Sequence, residues 1–287
     1  MLLLGIALAA VAGAASVDVE AAIARGDAAW ARRAAGHEDG EPRAEPIDEA
    51  IAGYETALEA APQSLEGRYR LLRALYFKAD YVLEEEKRRL EALDRARQIA
   101  QEGLDQLAER LPGGKPLEKR EPEDISETFE GDRLAAEMFF WSAVTWGLWG
   151  REKGKFAAAR QGVAGKIRDY CLVVNRIDDT IENGGGHRVL GRLHFEAPHI
   201  PFVTGWVDRD TAVAELERAH ELAPDDLLTR VYLAEALLEH RSERRREALE
   251  LLESVAGAEP GDEYVVENLR SSAMARSRLA EERPNGS

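Results

Sequence analysis

The chain has almost no cysteine, and this scarcity limits its chemistry. Cys171 is the single cysteine among 287 residues, so no disulfide can form within the chain and no cysteine near the N-terminus could carry a lipid. The residues around it, from 167 to 177, are apolar at helical spacing. That pattern favours a small buried side chain over a nucleophile.

Positive charge is also in short supply. Lys and Arg number 38 against 54 Asp and Glu, which gives a net charge of −16. This balance opposes binding to nucleic acid or anionic lipid unless a local basic patch overrides it, and we identify no patch large enough in the sequence. Hydrophobic residues at 45% and charged residues at 32% predict a soluble protein with a substantial core.

No apolar run is long enough to span a bilayer. The run over residues 1–12 is too short, and the Ala-Gly-Ala at 12–14 fits a signal-peptidase site. We therefore expect a signal peptide over 1–14, a single helical domain over 15–280 and a disordered tail over 281–287. The basic residues that usually precede such a run are missing, so a translation start upstream of Met1 and an uncleaved anchor both stay open. Export with a lone cysteine favours the bacterial periplasm.

One pattern occurs three times and predicts the fold. A small residue, a large residue, a second small or β-branched residue and a proline recur at fixed spacing: Ala50, Tyr54, Ala57, Pro62; Ala212, Leu216, Ala219, Pro224; Ala248, Leu252, Val255, Pro260. Small residues let helices approach closely, and the proline ends the helix. This is typical of the second helix of a tetratricopeptide repeat. We predict an all-α, degenerate tetratricopeptide-repeat-like stack of helical hairpins, an α-solenoid.

The stretches between the repeats are less regular. Periodicity predicts further helices over 17–35, 84–111, 134–149, 157–181 and 263–279. The glycines at 184–186 predict a turn. Gly191 matches the close-packing position of a first helix, with Ala212 as its partner. That pairing requires nine inserted residues, which fall within the aromatic- and proline-containing stretch 195–206.

Two of these irregular stretches resemble a known family. They are Phe140-Trp-Ser-Ala-Val-Thr-Trp-Gly-Leu-Trp149 and, about thirty residues later, Gly184-Gly-Gly-His-Arg-Val-Leu-Gly191. Together with the Phe-Val-Thr-Gly stretch before a repeat helix, they are similar to the T-component family of TRAP transporters. The resemblance implies a periplasmic, all-helical helper that binds the transporter's solute-binding subunit and offers it a pore-like cavity. Family members are often lipoproteins, whereas this chain has no lipidation cysteine.

Aromatic residues and arginines are the main candidates for a binding site. Buried tryptophans are mostly core, but some of Trp141, Trp146, Trp149, Phe202 and Trp206 are candidates to line an apolar cavity. Arg188 and Arg192 lie four residues apart on one helix face. They would suit an acidic or amphiphilic ligand, although an ion pair with a nearby carboxylate is an equal alternative.

The histidines and acids suggest no metal site. His187, His194 and His199 cluster in sequence, but the spacing of recognised zinc ligands is absent, so packing or ligand hydrogen bonding is favoured. The acids at 178, 179 and 182 match no calcium loop and favour a surface turn. We predict no cofactor, no metal and no catalytic residue.

The leading hypothesis is a non-enzymatic periplasmic accessory protein of a TRAP transporter. Its predicted partner is the solute-binding protein, with a small amphiphilic or acidic ligand in addition, and the sequence leaves a homo-oligomer open. The alternative is a general tetratricopeptide-type scaffold for envelope proteins with no transport role. A zinc hydrolase built on the histidines ranks last.

Overall fold

The structure, a computed structural model, describes residues 18–201 and 203–282. The predicted signal peptide, Phe202 and residues 283–287 lie outside the described residues. The described chain is all-α: thirteen α-helices and no strand. The helices are α1 Val19–Trp30, α2 Ala44–Ala60, α3 Leu65–Phe77, α4 Glu86–Arg110, α5 Pro122–Thr128, α6 Arg133–Lys153, α7 Lys155–Arg160, α8 Val163–Ile177, α9 Gly185–Glu196, α10 Arg209–Leu222, α11 Leu227–His240, α12 Arg245–Ala256 and α13 Val265–Glu282.

Antiparallel neighbours in sequence pack as hairpins, which confirms the predicted helical-hairpin stack. α1 packs on α2, α9 on α10, and α11 on α12, while α6 packs on α4 and α8 in the middle of the chain. The repeated pattern lies at these contacts, because all nine of its non-proline residues are fully buried in α2, α10 and α12. Burial of the small positions is what brings the helix backbones together.

Glycines make the closest of these contacts. A Cβ on Gly191 would lie 3.0 Å from the Ala212 carbonyl oxygen, which confirms the predicted pairing of α9 with α10. A Cβ on Gly53 would lie 2.7 Å from the backbone nitrogen of Gly26. The helix α1 is therefore the hairpin partner of α2, a pairing that the sequence did not indicate.

Several predicted boundaries are wrong for identifiable reasons. The helix predicted over 157–181 is two helices, α7 and α8, because Gly162 takes a left-handed backbone at φ +64°. Gly185 and Gly186 do not extend the predicted turn; they begin α9, where Phe140 and Asn175 occupy the space that a side chain would need. The helix α5 was not predicted. The predicted boundary between domain and tail, after residue 280, falls inside α13, which runs to Glu282.

The last helix returns to the first part of the chain. Arg33, just after α1, is bonded through Nε to Glu267 Oε1 of α13 at 2.9 Å and through Nη2 to the Glu263 carbonyl at 2.7 Å. Arg270 of α13 donates to Asp80, in the π-helical turn after α3, at 2.6 Å. Asp80 also pairs with Arg151 of α6. These contacts hold α13 against the elements that it faces across the cavity described below.

Within residues 18–201 and 203–282, no helix is both long and apolar enough to cross a membrane.

Candidate ligand cavity

A cavity of about 1140 Å³ lies between the two ends of the stack. Residues of α1, α3, α6 to α11 and α13 line it, together with the segments after α3, α6, α7, α8, α9, α10 and α12. One wall is aromatic and includes Trp30, Tyr76, Phe77, Phe140 and Trp141. A volume of this size is at the upper end for small-molecule sites, and apolar walls with a few polar groups are typical of them.

Arg73 of α3 lies in this wall and has no carboxylate partner within ion-pair distance. Its guanidinium carbon lies 4.2 Å from the centre of the Trp30 ring, a cation–π contact. Its Nε is buried without a hydrogen bond, and Arg73 forms no ion pair with a carboxylate among the described residues, although it donates a hydrogen bond to the Tyr54 hydroxyl and its charge opposes the rise in the pKa of that group. An arginine in this state retains donors for an anionic group that enters the cavity.

Two glutamates lie near Arg73, and both resist ionisation. Burial raises the pKa of Glu182, and the charge of Arg73 is the strongest effect that opposes the rise. Burial, and secondarily the charge of Glu182, raises the pKa of Glu137 to about 7. Glu182 lines the cavity from a left-handed backbone at φ +48°. The turn predicted at 178–182 is present at Asp178, whose carboxylate accepts the Thr180 amide. Glu182 does not lie on an outer surface as predicted, because it lines the cavity.

The three tryptophans of α6 separate into two environments. Trp141 lines the cavity, and its indole N–H is buried without a hydrogen bond. Trp146 and Trp149 do not line it; they pack edge to face, and the Arg97 guanidinium lies 4.1 Å from each ring centre. The Trp149 indole donates to Asp94 at 2.8 Å. Among the α6 tryptophans, the cavity interpretation thus applies to Trp141 alone.

Arg188 and Arg192 both line the cavity, but their guanidinium groups are occupied. Arg188 donates to the backbone carbonyls of Glu182 and Asn183 at 3.1 and 3.2 Å. Arg192 pairs with Glu196 at 2.6 Å and also with Glu235. Of the two alternatives that the sequence left open for these arginines, the structure shows contacts within the protein, including an ion pair, instead of free donors for a ligand.

The histidines make ordinary structural contacts. His187 Nδ1 lies 2.6 Å from Glu215 and 3.1 Å from Asn175. His194 Nδ1 accepts the Asp208 amide at 3.0 Å, and His199 is exposed after α9. Neither these three nor any other group of three metal-ligating side chains in the described residues is arranged to hold a metal ion.

The inserted stretch between α9 and α10 lines the cavity, but through residues other than the predicted Trp206. Trp206 packs edge to face on His194, and the Arg168 guanidinium lies 4.7 Å from its ring centre. Trp206 does not line the cavity, whereas Ile200 and Val203 do. Phe202 lies outside the described residues.

Sequence reasoning missed Arg73, Glu137 and Glu182. Arg73 and Glu137 stand among buried residues of their helices, α3 and α6, and a charged residue on an apolar helix face was the available signal. Glu182 gave no comparable signal, because its position depends on the left-handed turn before α9.

No protein-family model matches the chain, and a search of the curated proteins returned no match. The residues that line the cavity indicate what kind of ligand it can bind. An apolar wall, a guanidinium without an ion-pair partner and the raised pKa of the Glu182 carboxyl suit a ligand with an acidic head and an apolar body.

Proposed function

We propose that this chain is a non-enzymatic accessory protein of the TRAP T-component type, which binds an acidic amphiphile in its cavity and associates with a periplasmic solute-binding protein. The observation that carries the proposal is Arg73, an unpaired cation in the aromatic wall of a large cavity. The family resemblance of the Trp helix and the Gly-Gly-Gly-His-Arg segment supports the partner and the periplasmic location.

The ligand's head group is placed at Arg73. A carboxylate there gains charge-assisted hydrogen bonds from the guanidinium. Burial raises the pKa of Glu182, so an anionic head group beside it is repelled less than it would be by a carboxylate of ordinary pKa. The apolar body lies along Tyr76, Phe77 and Phe140, which line the cavity on α3 and α6.

The scaffold alternative requires an open concave groove for extended peptides. The contacts of Arg33 with Glu267 and of Arg270 with Asp80 bring α13 back to the first part of the chain. A cavity bounded in this way favours a small ligand over a peptide strand.

The ligand half of the proposal is tested with decanoate and decanol, measured by the change in tryptophan fluorescence and by calorimetry. Arg73→Gln should weaken decanoate binding by about tenfold or more, as expected for the loss of a charge-assisted hydrogen bond. Binding of decanol should change little. The matched control is Arg192→Gln with Glu235→Gln, which removes a pair that is already satisfied in the same cavity. Equal loss for both probes would mean that Arg73 is structural, and no binding of either would refute the cavity assignment.

The partner half uses the same purified protein as bait in a periplasmic extract, with captured chains identified by mass spectrometry. A solute-binding protein encoded beside this chain is the expected capture. Recovery of assorted peptides, with no solute-binding protein, would favour the scaffold.

A further inference from the structure

The helix α7 and its flanks form a basic segment in an acidic protein. Residues 151–168 contain six Lys or Arg and one acidic residue, whereas the whole chain has 38 basic and 54 acidic residues. Two of the six are engaged, since Arg151 pairs with Asp80 and Arg168 with Asp169. The local excess of positive charge is the patch that the composition argument did not find.

The remaining four cations have no counter-ion in the described structure. Lys153, Lys155, Arg160 and Lys166 make no ion pair or hydrogen bond with any described residue. The first three are exposed. Burial, together with the charge of Arg97, lowers the pKa of Lys166. Lys166 is half-buried against the Trp146 ring, whereas the three exposed cations are free to meet an external negative charge.

An exposed aromatic side chain lies among these basic residues. Phe156 of α7 is 96% exposed, far more than any other large apolar residue among those described. Gly154 and Gly162 bound the helix with left-handed backbones, and nothing lies within 4 Å of the position that a Cβ would take on either. The helix packs on α6 and α8 through the half-buried Ala157 and Ala158, while Phe156 faces solvent.

The helix α7 borders the opening of the cavity. Lys155 and Ala159 of α7 are exposed and also line the cavity. Ile200 and Val203, 40% and 49% exposed, line it as well. An exposed residue that also lines a cavity marks a point where the cavity meets solvent, so α7 stands beside an entrance.

We propose that the α7 surface, defined as Lys153, Lys155, Phe156 and Arg160, docks the protein on an anionic lipid bilayer at the cavity entrance. Lysines and arginines bind the negative headgroups, and an aromatic ring among them inserts at the interface. One exposed aromatic residue among cations lacks the flat or concave apolar patch that protein interfaces usually bury. The proposal stands on the charge and exposure of α7 and does not require the ligand assigned above.

The test is co-sedimentation of the full chain with vesicles of phosphatidylcholine alone and of phosphatidylcholine with about a third phosphatidylglycerol. The protein should bind only the anionic vesicles and should be released by about 0.5 M salt. Lys153→Glu and Arg160→Glu combined, at two residues that do not line the cavity, should weaken binding at least tenfold. Phe156→Ser should weaken it severalfold, since the inserted apolar area is lost.

The matched control is Lys87→Glu with Arg88→Glu on α4, two exposed cations that already pair with Glu91 and Glu85. This variant should bind vesicles as the unmodified chain does. Decanoate binding in the absence of vesicles should be unchanged in the α7 variants, so failure of the docking proposal is separable from failure of the cavity assignment. Equal binding to neutral vesicles would overturn the proposal. Loss of solute-binding-protein capture in the α7 variants, with no vesicle binding by the unmodified chain, would overturn it in favour of a protein partner.

Discussion

The repeat hairpins and the cavity walls are held together by different kinds of contact. In the hairpin of α9 and α10, Gly191 and Ala212 bring two backbones into contact through residues only 21 apart. Around the cavity, Arg33 and Glu267 join residues 234 apart through a buried charge pair. Local packing of small residues forms the hairpins, whereas long-range charged contacts determine how the hairpins surround the cavity.

The difference bears on where a ligand site can form. A dry contact between small residues leaves no space and no unpaired polar group. The cavity walls contain Arg73 and Trp141, each with a buried nitrogen that has no hydrogen-bond partner. Such atoms are costly in a folded protein unless something binds them.

Removing the charge that closes the cavity should have the largest effect on stability. Glu267→Gln leaves the Arg33 guanidinium, whose side chain is 4% exposed, without its counter-charge. We expect a loss of about 3 kcal/mol in the free energy of unfolding, measured by urea denaturation. The control is Glu49→Gln, which breaks the Arg32–Glu49 pair, 55% and 64% exposed, and should cost less than about 1 kcal/mol. Equal costs would mean that the long-range pair contributes no more than a surface one.

A second prediction is that ionisation of Glu137, beside Arg73 of the cavity wall, makes the free energy of unfolding depend on pH. The pKa of Glu137 is about 7 in the folded chain against an ordinary value of 4.5, because of burial and the charge of Glu182, with Arg133 and Arg73 opposing. Between these values the folded chain holds a proton that the unfolded chain releases, so stability is complete below about pH 4.5 and falls as the pH rises through 7. The total loss is about 3 kcal/mol, since one pKa unit corresponds to about 1.4 kcal/mol.

Glu137→Gln removes this dependence and is measured by urea denaturation from pH 4.5 to 8. At pH 4.5 both proteins carry a neutral side chain at this position and should unfold within about 1 kcal/mol of each other. At pH 8 the variant should be the more stable by up to about 3 kcal/mol relative to that baseline. A difference that stays constant across the series would show that Glu137 ionises normally in the folded protein.

The local contacts could be predicted from the sequence, and the long-range ones could not. The repeated pattern identified nine buried positions and the pairing of Gly191 with Ala212, because helix packing within a hairpin depends on residues close in sequence. No local sequence pattern marks the pair of Arg33 and Glu267, so the contact of α13 with the first part of the chain could not be predicted. Among the site residues, Arg188 and Arg192 were correctly placed beside a cavity but are already paired. The exposure of α7 depends on the left-handed backbone at Gly162, and its alanines and lysines fit a continuous helix equally well.

The smallest predicted effect is a difference in sign between two glycine substitutions, one in each region. Gly191→Ala places a Cβ 2.7 Å from Leu216 Cγ and 3.0 Å from the Ala212 carbonyl, and we expect a loss of about 1–2 kcal/mol despite the better helix propensity of alanine. Gly165→Ala, in α8 at the cavity, meets nothing within 4 Å and requires no left-handed backbone. It should therefore stabilise the protein by about 0.5–1 kcal/mol. Both are read from thermal or urea unfolding of otherwise identical chains. If Gly165→Ala destabilised the protein as much as Gly191→Ala, the cavity wall would be as closely packed as the hairpins, and the distinction between the two regions would fail.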